Sequence, residues 1–189
     1  MERQRTMNHP TTMMLVAALL VSHAAAAQTD RPYAGQHMRA IKALSPEETR
    51  GYLDGAGMGF AKAAELNRYP GPMHALELAD ALALTAEQRS ALQSLMARHK
   101  DEARALGAEV VRLEGELDRL FAERRATVEE IDRLTAAIGA AHARVRASHL
   151  KTHLAATGLL APAQIASYAK LRGYDAPGDS APMHHGRAH

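Results

Sequence analysis

The sequence contains no cysteine and no tryptophan, and aromatic residues make up only 4% of its 189 residues. A chain without cysteine forms neither disulfides nor thiolate metal sites. Since disulfides are the usual staple of small exported folds, stability must come from helix packing, helped by oligomerisation. Few aromatics together with abundant alanine are typical of long helices, and no segment shows a strand pattern. The sequence therefore predicts an all-α protein.

Long apolar runs are also missing, apart from "MMLVAALLV" at residues 13–21. This run has the length of a signal-peptide core and is too short to anchor a protein across a bilayer. Arg3 and Arg5 precede it, and Ala25 and Ala27 satisfy the small-residue rule for cleavage. We expect residues 1–27 to be a signal peptide cut near Ala27, so that the remainder is exported and soluble. An uncleaved N-terminal anchor is the alternative.

Neither charge is in large excess, since the chain has 23 lysines and arginines and 21 acidic residues, which gives a formal net charge of +2. Cleavage of the leader removes Arg3, Arg5 and Glu2, which lowers the net charge by one. A nearly neutral surface argues against a nucleic-acid partner, because such proteins carry a basic footprint. The length allows one domain.

Helix-start signals recur along the chain. In "LSPEE" (residues 44–48), Ser45 can cap a helix while Glu48 bonds back to the cap. In "LTAEQ" (84–88), Thr85 and Gln88 repeat this capping box. The segment "TVEE" (127–130) offers a third box. The segment "LAPAQ" (160–164) is a weakened copy, because Ala161 stands where a capping hydroxyl belongs.

These signals predict a single helical domain over residues 44–173. The predicted helices span 46–67, 72–83, 86–125, 128–157 and 162–172. Gly158 suits a left-handed C-terminal cap. Residues 28–43 are expected to be a flexible segment, and residues 174–189 a disordered tail that carries histidines.

The third predicted helix carries an apolar stripe in steps of three and four, and the fourth carries a matching stripe. The first stripe comprises Leu92, Leu95, His99, Ala103, Leu106, Val110, Leu113, Leu117 and Leu120, and the second Ile131, Leu134, Ile138, Ala141 and Val145. A short break at residues 126–127 joins the two helices, and short connections make antiparallel neighbours. We expect an elongated antiparallel helical hairpin with short flanking helices. Because so long a hairpin leaves its flank uncovered, we also expect a homodimer.

Small residues recur every four positions in the first predicted helix, at Gly51, Gly55, Gly59 and Ala63. Such a stripe would let another backbone approach closely, at a cost of about 1 kcal/mol per glycine in helix propensity. The segment follows no strand and lacks the spacing of a phosphate-binding loop. Close helix packing is therefore the expected role.

Histidines cluster in "HARVRASHLKTH" (residues 142–153). On a helix, His142, His149 and His153 fall within about 40° of one another. Ile131 and Ile138 lie in the same arc, so these histidines continue the apolar seam. The spacing of His149 and His153 allows two imidazoles to share one divalent ion.

A hairpin turn centred near residue 126 would place His99 level with His153. His99, His149 and His153, with Asp101 or Glu102 nearby, could then supply three or four ligands to Zn²⁺, Ni²⁺, Co²⁺ or Cu²⁺. Two alternatives stay open: neutral or pH-sensitive packing residues, and plain surface histidines. The histidines of the tail are a second, weaker candidate for chelation. No cofactor is required by the sequence.

Catalysis finds little support in the sequence. A catalytic site needs a nucleophile, a base and an orienting group gathered in a pocket. The serines are instead scattered, and the carboxylates alternate with arginines as on a solvated helix face. We therefore expect no enzymatic activity.

An exported, cysteine-free, helical chain with these motifs resembles the Spy/CpxP group, which carries an L-T-x-x-Q motif twice and is related to ZraP/CnrX-type periplasmic heavy-metal-resistance proteins. The resemblance covers roughly residues 45–172. The matching residues are Leu84, Thr85 and Gln88 in the first motif and Leu160 and Gln164 in the second. Ala161 departs from the usual threonine. His37 stands alone where the metal-binding branch has paired histidines.

The resemblance implies a periplasmic, dimeric protein with a cradle-like helical surface. In one branch, that surface binds unfolded or misfolded envelope proteins without ATP, as part of a stress response. In the other, histidine-bearing helices bind heavy metals. We take chaperone-like binding as the leading hypothesis and a metal-binding sensor or resistance protein as the alternative. A membrane-bound stress sensor is a further expected partner.

Overall fold

A computed structural model describes residues 32–174. The chain divides into two compact units, Met1–Ala34 and Gly35–His189. Of the first unit, only residues 32–34 are described, and the helical fold is that of residues 35–174. The predicted signal peptide and most of the histidine-containing tail lie outside this range.

The described residues are helical, as the composition predicts, and contain no strand. A short 3-10 helix (Gln36–Met38) precedes six α-helices: α1 (Pro46–Leu53), α2 (Lys62–Glu65), α3 (Pro72–Glu77), α4 (Ala86–Ala122), α5 (Val128–Gly158) and α6 (Pro162–Leu171). Across residues 32–174, every helix is too short or too polar to cross a membrane.

Helices α4 and α5 make the most extensive contact of the fold, and α1 and α3 pack on α4. Near the connection, Glu116 pairs with Arg133 at 2.8 Å. Further along, His99 Nε2 lies 3.1 Å from His149 Nδ1. Earlier residues of α4 thus meet later residues of α5. The predicted stripes face this contact, with Leu92, Val110 and Leu134 wholly buried.

The register of α4 against α5 differs from the predicted one by about one helical turn, because His99 meets His149 and not His153. The reason is the connection between the helices. Helix α4 ends at Ala122, three residues before the predicted end. Arg124 then adopts a left-handed conformation, with φ 55°. The chain therefore reverses near Arg124 instead of near residue 126.

The predicted helix starts are largely confirmed. Ser45 and Glu48 form a complete capping box. Thr127 caps α5 by accepting a hydrogen bond from the Glu130 backbone N–H. The reciprocal bond is absent there, because the Glu130 carboxylate pairs with Arg133 instead. The prediction for Gly158 is wrong, since this residue is the last of α5 and Leu159 follows with φ −87°.

The predicted helix over 46–67 is wrong, because the glycines break it. Helix α1 ends at Leu53, and the chain resumes helix only in α2. Gly55 and Gly59 have φ values of +59° and +78°. The predicted small-residue stripe along one helix is therefore wrong as well. The backbone at Gly55 nevertheless lies close to α4, because a β-carbon there would be 3.0 Å from the Ala103 side chain.

The helix predicted over 72–83 is shorter in the structure, where α3 ends at Glu77. Turns follow, and Ala83 adopts a left-handed φ of 48°. The Leu84 N–H donates to the Ala79 carbonyl at 2.9 Å. Leu82 and Leu84 are thereby buried beside Leu92 in one core cluster.

A second core cluster lies on the α1 side of the fold and contains Tyr52, Val110 and Leu134. Part of the segment predicted to be flexible attaches to this cluster, because Ile41 packs against it. The Lys42 side chain also donates to Asp118 at 3.2 Å. This end of the segment therefore contacts α4.

Two helical glycines give a matched test of the packing of α1 on α4. A β-carbon on Gly107 would collide with the Tyr52 carbonyl, whereas one on Gly139 would meet nothing within 4 Å. We expect Gly107→Ala to lower the free energy of unfolding by about 1–3 kcal/mol through overpacking. Gly139→Ala should raise it by about 0.5–1 kcal/mol through helix propensity. Urea denaturation measures both, and equal effects would contradict the packing of Tyr52 on Gly107.

Candidate functional site

The two motif copies meet at one place, where α4 and α6 begin. At the first, the Thr85 N–H donates to Gln88 Oε1 at 3.1 Å, and the Gln88 N–H donates to Thr85 Oγ1 at 3.2 Å. At the second, the Ala161 N–H donates to Gln164 Oε1 at 2.8 Å. The second copy thus keeps the glutamine half of the capping box, as the missing hydroxyl predicts.

The two motif glutamines also bond directly to each other. Gln88 Nε2 donates to Gln164 Oε1 at 2.8 Å, and Gln164 Nε2 donates to Gln88 Oε1 at 2.9 Å. Gln88 Nε2 donates further to the Leu159 carbonyl at 2.9 Å, and Gln164 Nε2 to the Leu82 carbonyl at 3.2 Å. Both amides are therefore fully used within the fold.

Leu84 and Leu160 are buried in the same core cluster beneath this amide pair. The structure thus brings all five motif residues together. Their contacts tie the start of α4 to the start of α6 and leave neither amide free for a ligand. The motif residues therefore stabilise the fold, and a ligand-binding site has to lie elsewhere.

The predicted histidine site is only partly assembled. His99 and His149 are buried, with 7% and 5% of their surface exposed. Besides the bond between the two rings, His99 Nδ1 lies 3.3 Å from Ser148 Oγ. The Phe60 ring stacks on His149 with centroids 5.5 Å apart. These contacts hold both imidazoles in fixed orientations.

Burial lowers the pKa of both imidazoles, because the charged form loses its hydration. The pKa of His149 falls to about 4, mainly through burial and to a smaller extent through the proximity of His99 and His153. Both rings are therefore neutral at pH 7. His149 Nε2 is buried and has no hydrogen-bond partner.

His153 does not join this pair. Its Nδ1 lies 2.8 Å from the Tyr69 carbonyl and 3.5 Å from Glu65 Oε2. His142 lies elsewhere, with its Nδ1 3.1 Å from the Tyr52 hydroxyl. Within residues 32–174, no three or more histidine or carboxylate side chains are grouped so that they could hold a metal ion.

His99, His149 and His153 nevertheless line one cavity of about 430 Å³. Its walls come from the glycine-rich loop after α1, from α2, from the first turn of α3, and from α4 and α5. They include three methionines that sequence reasoning did not connect with the histidines: Met58, Met73 and Met96. Met58 and Met73 are far from the histidines in sequence, so apart from Met96, three residues before His99, no spacing pattern could have revealed the group.

A partly buried carboxylate, Glu65 of α2, was also missed. Its Oε1 accepts hydrogen bonds from the Tyr168 hydroxyl at 2.5 Å and from the Tyr174 hydroxyl at 3.0 Å. Arg172 Nε lies 3.5 Å from the same oxygen. Burial, together with the bond to Glu65, raises the pKa of Tyr168. Glu65 therefore ties α2 to α6 and to the start of the predicted tail.

Two arginines of the long helices, Arg112 and Arg133, are engaged in ion pairs within the chain. Arg112 pairs with Glu109 at 2.8 Å and with Glu116 at 2.9 Å. Arg133 pairs with Glu116 at 2.8 Å and with Glu130 at 2.7 Å. The pairs with Glu109 and Glu130, and that of Arg112 with Glu116, join residues three or four apart on one helix, as expected of a solvated face. The pair of Glu116 with Arg133 joins α4 to α5.

No protein-family model, curated protein or solved structure matches the chain. The resemblance to the Spy/CpxP group therefore stays a prediction that rests on the motif residues.

A double-mutant cycle tests the amide pair. Gln88→Ala and Gln164→Ala should each lower the free energy of unfolding by about 1–3 kcal/mol, because each leaves part-buried polar groups of its partner unpaired. The double variant should lose less than the sum of the two. Exposed Gln93 of the same helix gives the control, since Gln93→Ala should have little effect. Strict additivity in urea denaturation would contradict the direct bond.

Stability should also depend on pH through His99 and His149. The unfolded chain takes up protons near pH 6.5, whereas the folded rings resist protonation down to about pH 4 for His149. The stabilisation is therefore complete above about pH 6.5 and is lost as the pH falls toward 4. Between pH 7 and pH 5, we expect His149 alone to account for a loss of about 1–2 kcal/mol.

The measurement is urea denaturation at both pH values, with a chelator present, of the parent chain and of the variant with His99→Gln and His149→Gln. The variant should show the smaller fall in stability. The groups that act electrostatically on the pair, Lys100, Glu102 and His153, are retained in both proteins. An equal fall in the two would show that the histidine pair is not responsible.

Proposed function

We propose that this chain is an exported periplasmic protein of the envelope-stress response that binds unfolded or misfolded proteins without ATP and without catalysing a reaction. The observation that carries the proposal is an open, mostly apolar groove on the surface of residues 32–174, with further large apolar side chains exposed elsewhere on that surface. Contiguous apolar surface is typical of protein-binding sites.

The exposed apolar residues include Phe121, Val128, Leu154 and Leu171, of which Val128 is 70% and Leu154 62% exposed. An open groove of about 350 Å³ also runs between α4 and α5. It is lined by Ala91, Ser94, Leu95, Arg98, Ala155 and Leu159. A groove with mostly apolar walls and one arginine at its edge suits short apolar stretches of many different chains.

Unfolded clients share no common shape, so weak contacts at several places suit them better than one deep pocket. The dispersed exposed side chains and the shallow groove fit this requirement. The methionines that line the cavity add adaptable apolar surface, because the thioether side chain is flexible and polarisable.

The contacts between α4 and α5 support an antiparallel helical hairpin as the platform for this binding. We further propose that two copies form a homodimer that presents a cradle-like surface. A membrane-bound stress sensor is the proposed additional partner, and nucleic acid is not among the partners. Light scattering of the purified protein tests the dimer directly.

A second candidate function, binding of a heavy metal as a sensor or resistance protein, is favoured by one observation. His149 Nε2 is buried without a partner, and His149 lines the same cavity as His99 and His153. On this proposal, Zn²⁺, Ni²⁺, Co²⁺ or a copper ion binds among the three histidines.

The client-binding proposal predicts that the protein slows the aggregation of a chemically unfolded model protein at equimolar concentration of dimer. Ala155→Lys places a charge in the groove beside Arg98 and should weaken the effect, because apolar segments then lose their site. Ala140→Lys makes the same change at an exposed position of α5 outside the groove and should leave the effect intact. Light scattering follows the aggregation.

Circular dichroism checks that both variants stay folded. If the parent chain slows the aggregation of no client, the proposed function is wrong. If both lysine variants lose the same activity, binding does not use the groove.

A further inference from the structure

The cavity between the glycine-rich loop, α3, α4 and α5 contains an imidazole that the fold itself leaves unsatisfied. Only 5% of the surface of His149 is exposed, and its Nε2 finds no partner although the residue lines the cavity. Buried polar atoms of native proteins are nearly always paired, so an orphaned nitrogen on a residue that lines a cavity calls for a ligand.

The hydrogen bonds behind His149 allow a state in which this nitrogen is a free electron-pair donor. In that state, His99 Nδ1–H donates to Ser148 Oγ, and His149 Nδ1–H donates to His99 Nε2, over 3.3 Å and 3.1 Å. His149 Nε2 then carries no proton. A metal-ligating histidine adopts this arrangement, with its other ring nitrogen donating to a second group.

The other donors around the cavity are mainly soft. Histidine and carboxylate groups of the described residues do not form a set of three that could hold a metal ion. Glu65 Oε1 accepts from the Tyr168 hydroxyl, and His153 Nδ1 lies 2.8 Å from the Tyr69 carbonyl, which leaves Glu65 Oε2 as one oxygen without a hydrogen-bond partner. The other unengaged donors are the thioethers of the cavity wall, and thioether with imidazole selects Cu(I).

The charges around the cavity favour a monovalent ion as well. Lys62 and Lys100 both line it, and Glu65 is the one carboxylate among its lining residues, so the formal charge of these three side chains is positive. Positive side chains repel a divalent ion twice as strongly as a monovalent one at the same distance. A neutral set of imidazole and thioether ligands offers no negative charge to compensate.

The three methionines differ in their suitability. Met96 is half-buried on α4, three residues before His99, and Met73 lies at the cavity rim on α3 with 46% of its surface exposed. The sulfur of Met58 packs closely against Gly51. Met96 and Met73 are therefore the candidate ligands, and Met58 is a control within the same wall.

We propose that this cavity binds one Cu(I) ion through His149 Nε2 and the sulfur atoms of Met96 and Met73. The proposal rests on the second candidate function, metal binding, and replaces its three-histidine ligand set with a soft one. It does not depend on client binding. No redox step is involved, since the ion is bound in the reduced state.

The test is anaerobic competition for Cu(I) against the chromogenic chelator bicinchoninate. It uses the full chain with Met183→Leu, His184→Ala, His185→Ala and His189→Ala, so that the tail contributes no ligand. We expect one equivalent of Cu(I) to bind. His149→Gln should weaken binding by about 100-fold or more, the upper range for changes around a metal site. Met96→Leu and Met73→Leu, which conserve volume, should each weaken it, and Met58→Leu should not.

X-ray absorption at the copper edge supplies a readout that does not depend on affinity or on the stability of the His149 variant. The parent should show both sulfur and nitrogen scatterers, and Met96→Leu should show fewer sulfur scatterers. Absence of stoichiometric Cu(I) binding, or binding that survives His149→Gln and Met96→Leu unchanged, would overturn the proposal.

Titrations with Zn²⁺ and Ni²⁺ distinguish a failure of the Cu(I) site from a failure of the second candidate function, metal binding. Stoichiometric binding of a divalent ion that depends on His99, His149 and His153, without Cu(I) binding, would support the second candidate function and overturn the soft site. Failure of all these ions to bind would overturn both.

Discussion

The packing of α4 on α5 is the contact on which the rest of the described structure depends. These are its two long helices, and α1, α2 and α3 all pack against one or the other. The seam between them is apolar along most of its length, from Leu92 through Val110 to Leu134. Where His99 and His149 interrupt it, the fold supplies a partner for three of the four ring nitrogens and leaves one without. The seam therefore sets both the stability of the fold and the position of this unsatisfied imidazole.

Features that depend on residues close in sequence were predictable. Capping at Ser45 and Thr85 follows from side chains that can reach backbone groups three residues away, and the stripes on α4 and α5 follow from helical periodicity. The failures came from long-range constraints. The spacing of Gly51, Gly55 and Gly59 suggested a helix face, but two of these glycines take left-handed conformations that end the helix. The reversal at Arg124 shifted the register by a turn, which no local pattern encodes.

The candidate site was predicted only in part, because several of its contacts are long-range as well. His99 and His149 were predicted to lie together because both continue the apolar seam of the hairpin. His153 contacts the Tyr69 carbonyl and Glu65 instead, and these residues belong to a segment outside the predicted hairpin. Met73 and Met96 line the cavity only because of tertiary packing.

Gln88 and Gln164 were recognised as capping residues, but their bond to each other needs α6 to return to the start of α4. The motif is thereby explained as architecture, and the surfaces left for binding are the cavity and the groove, which are lined by different residues of α4.

Direct capture of a client at the groove is the most informative measurement for the proposed function. Because the chain contains no cysteine, an introduced cysteine is the only site that a maleimide labels. Ala155→Cys and Ala140→Cys each create a single attachment point for a maleimide-linked benzophenone, which on illumination crosslinks to whatever lies against it. With an unfolded client present, the account predicts client crosslinks from position 155 in clear excess over position 140. Equal crosslinking from both positions, or none from position 155, would contradict it.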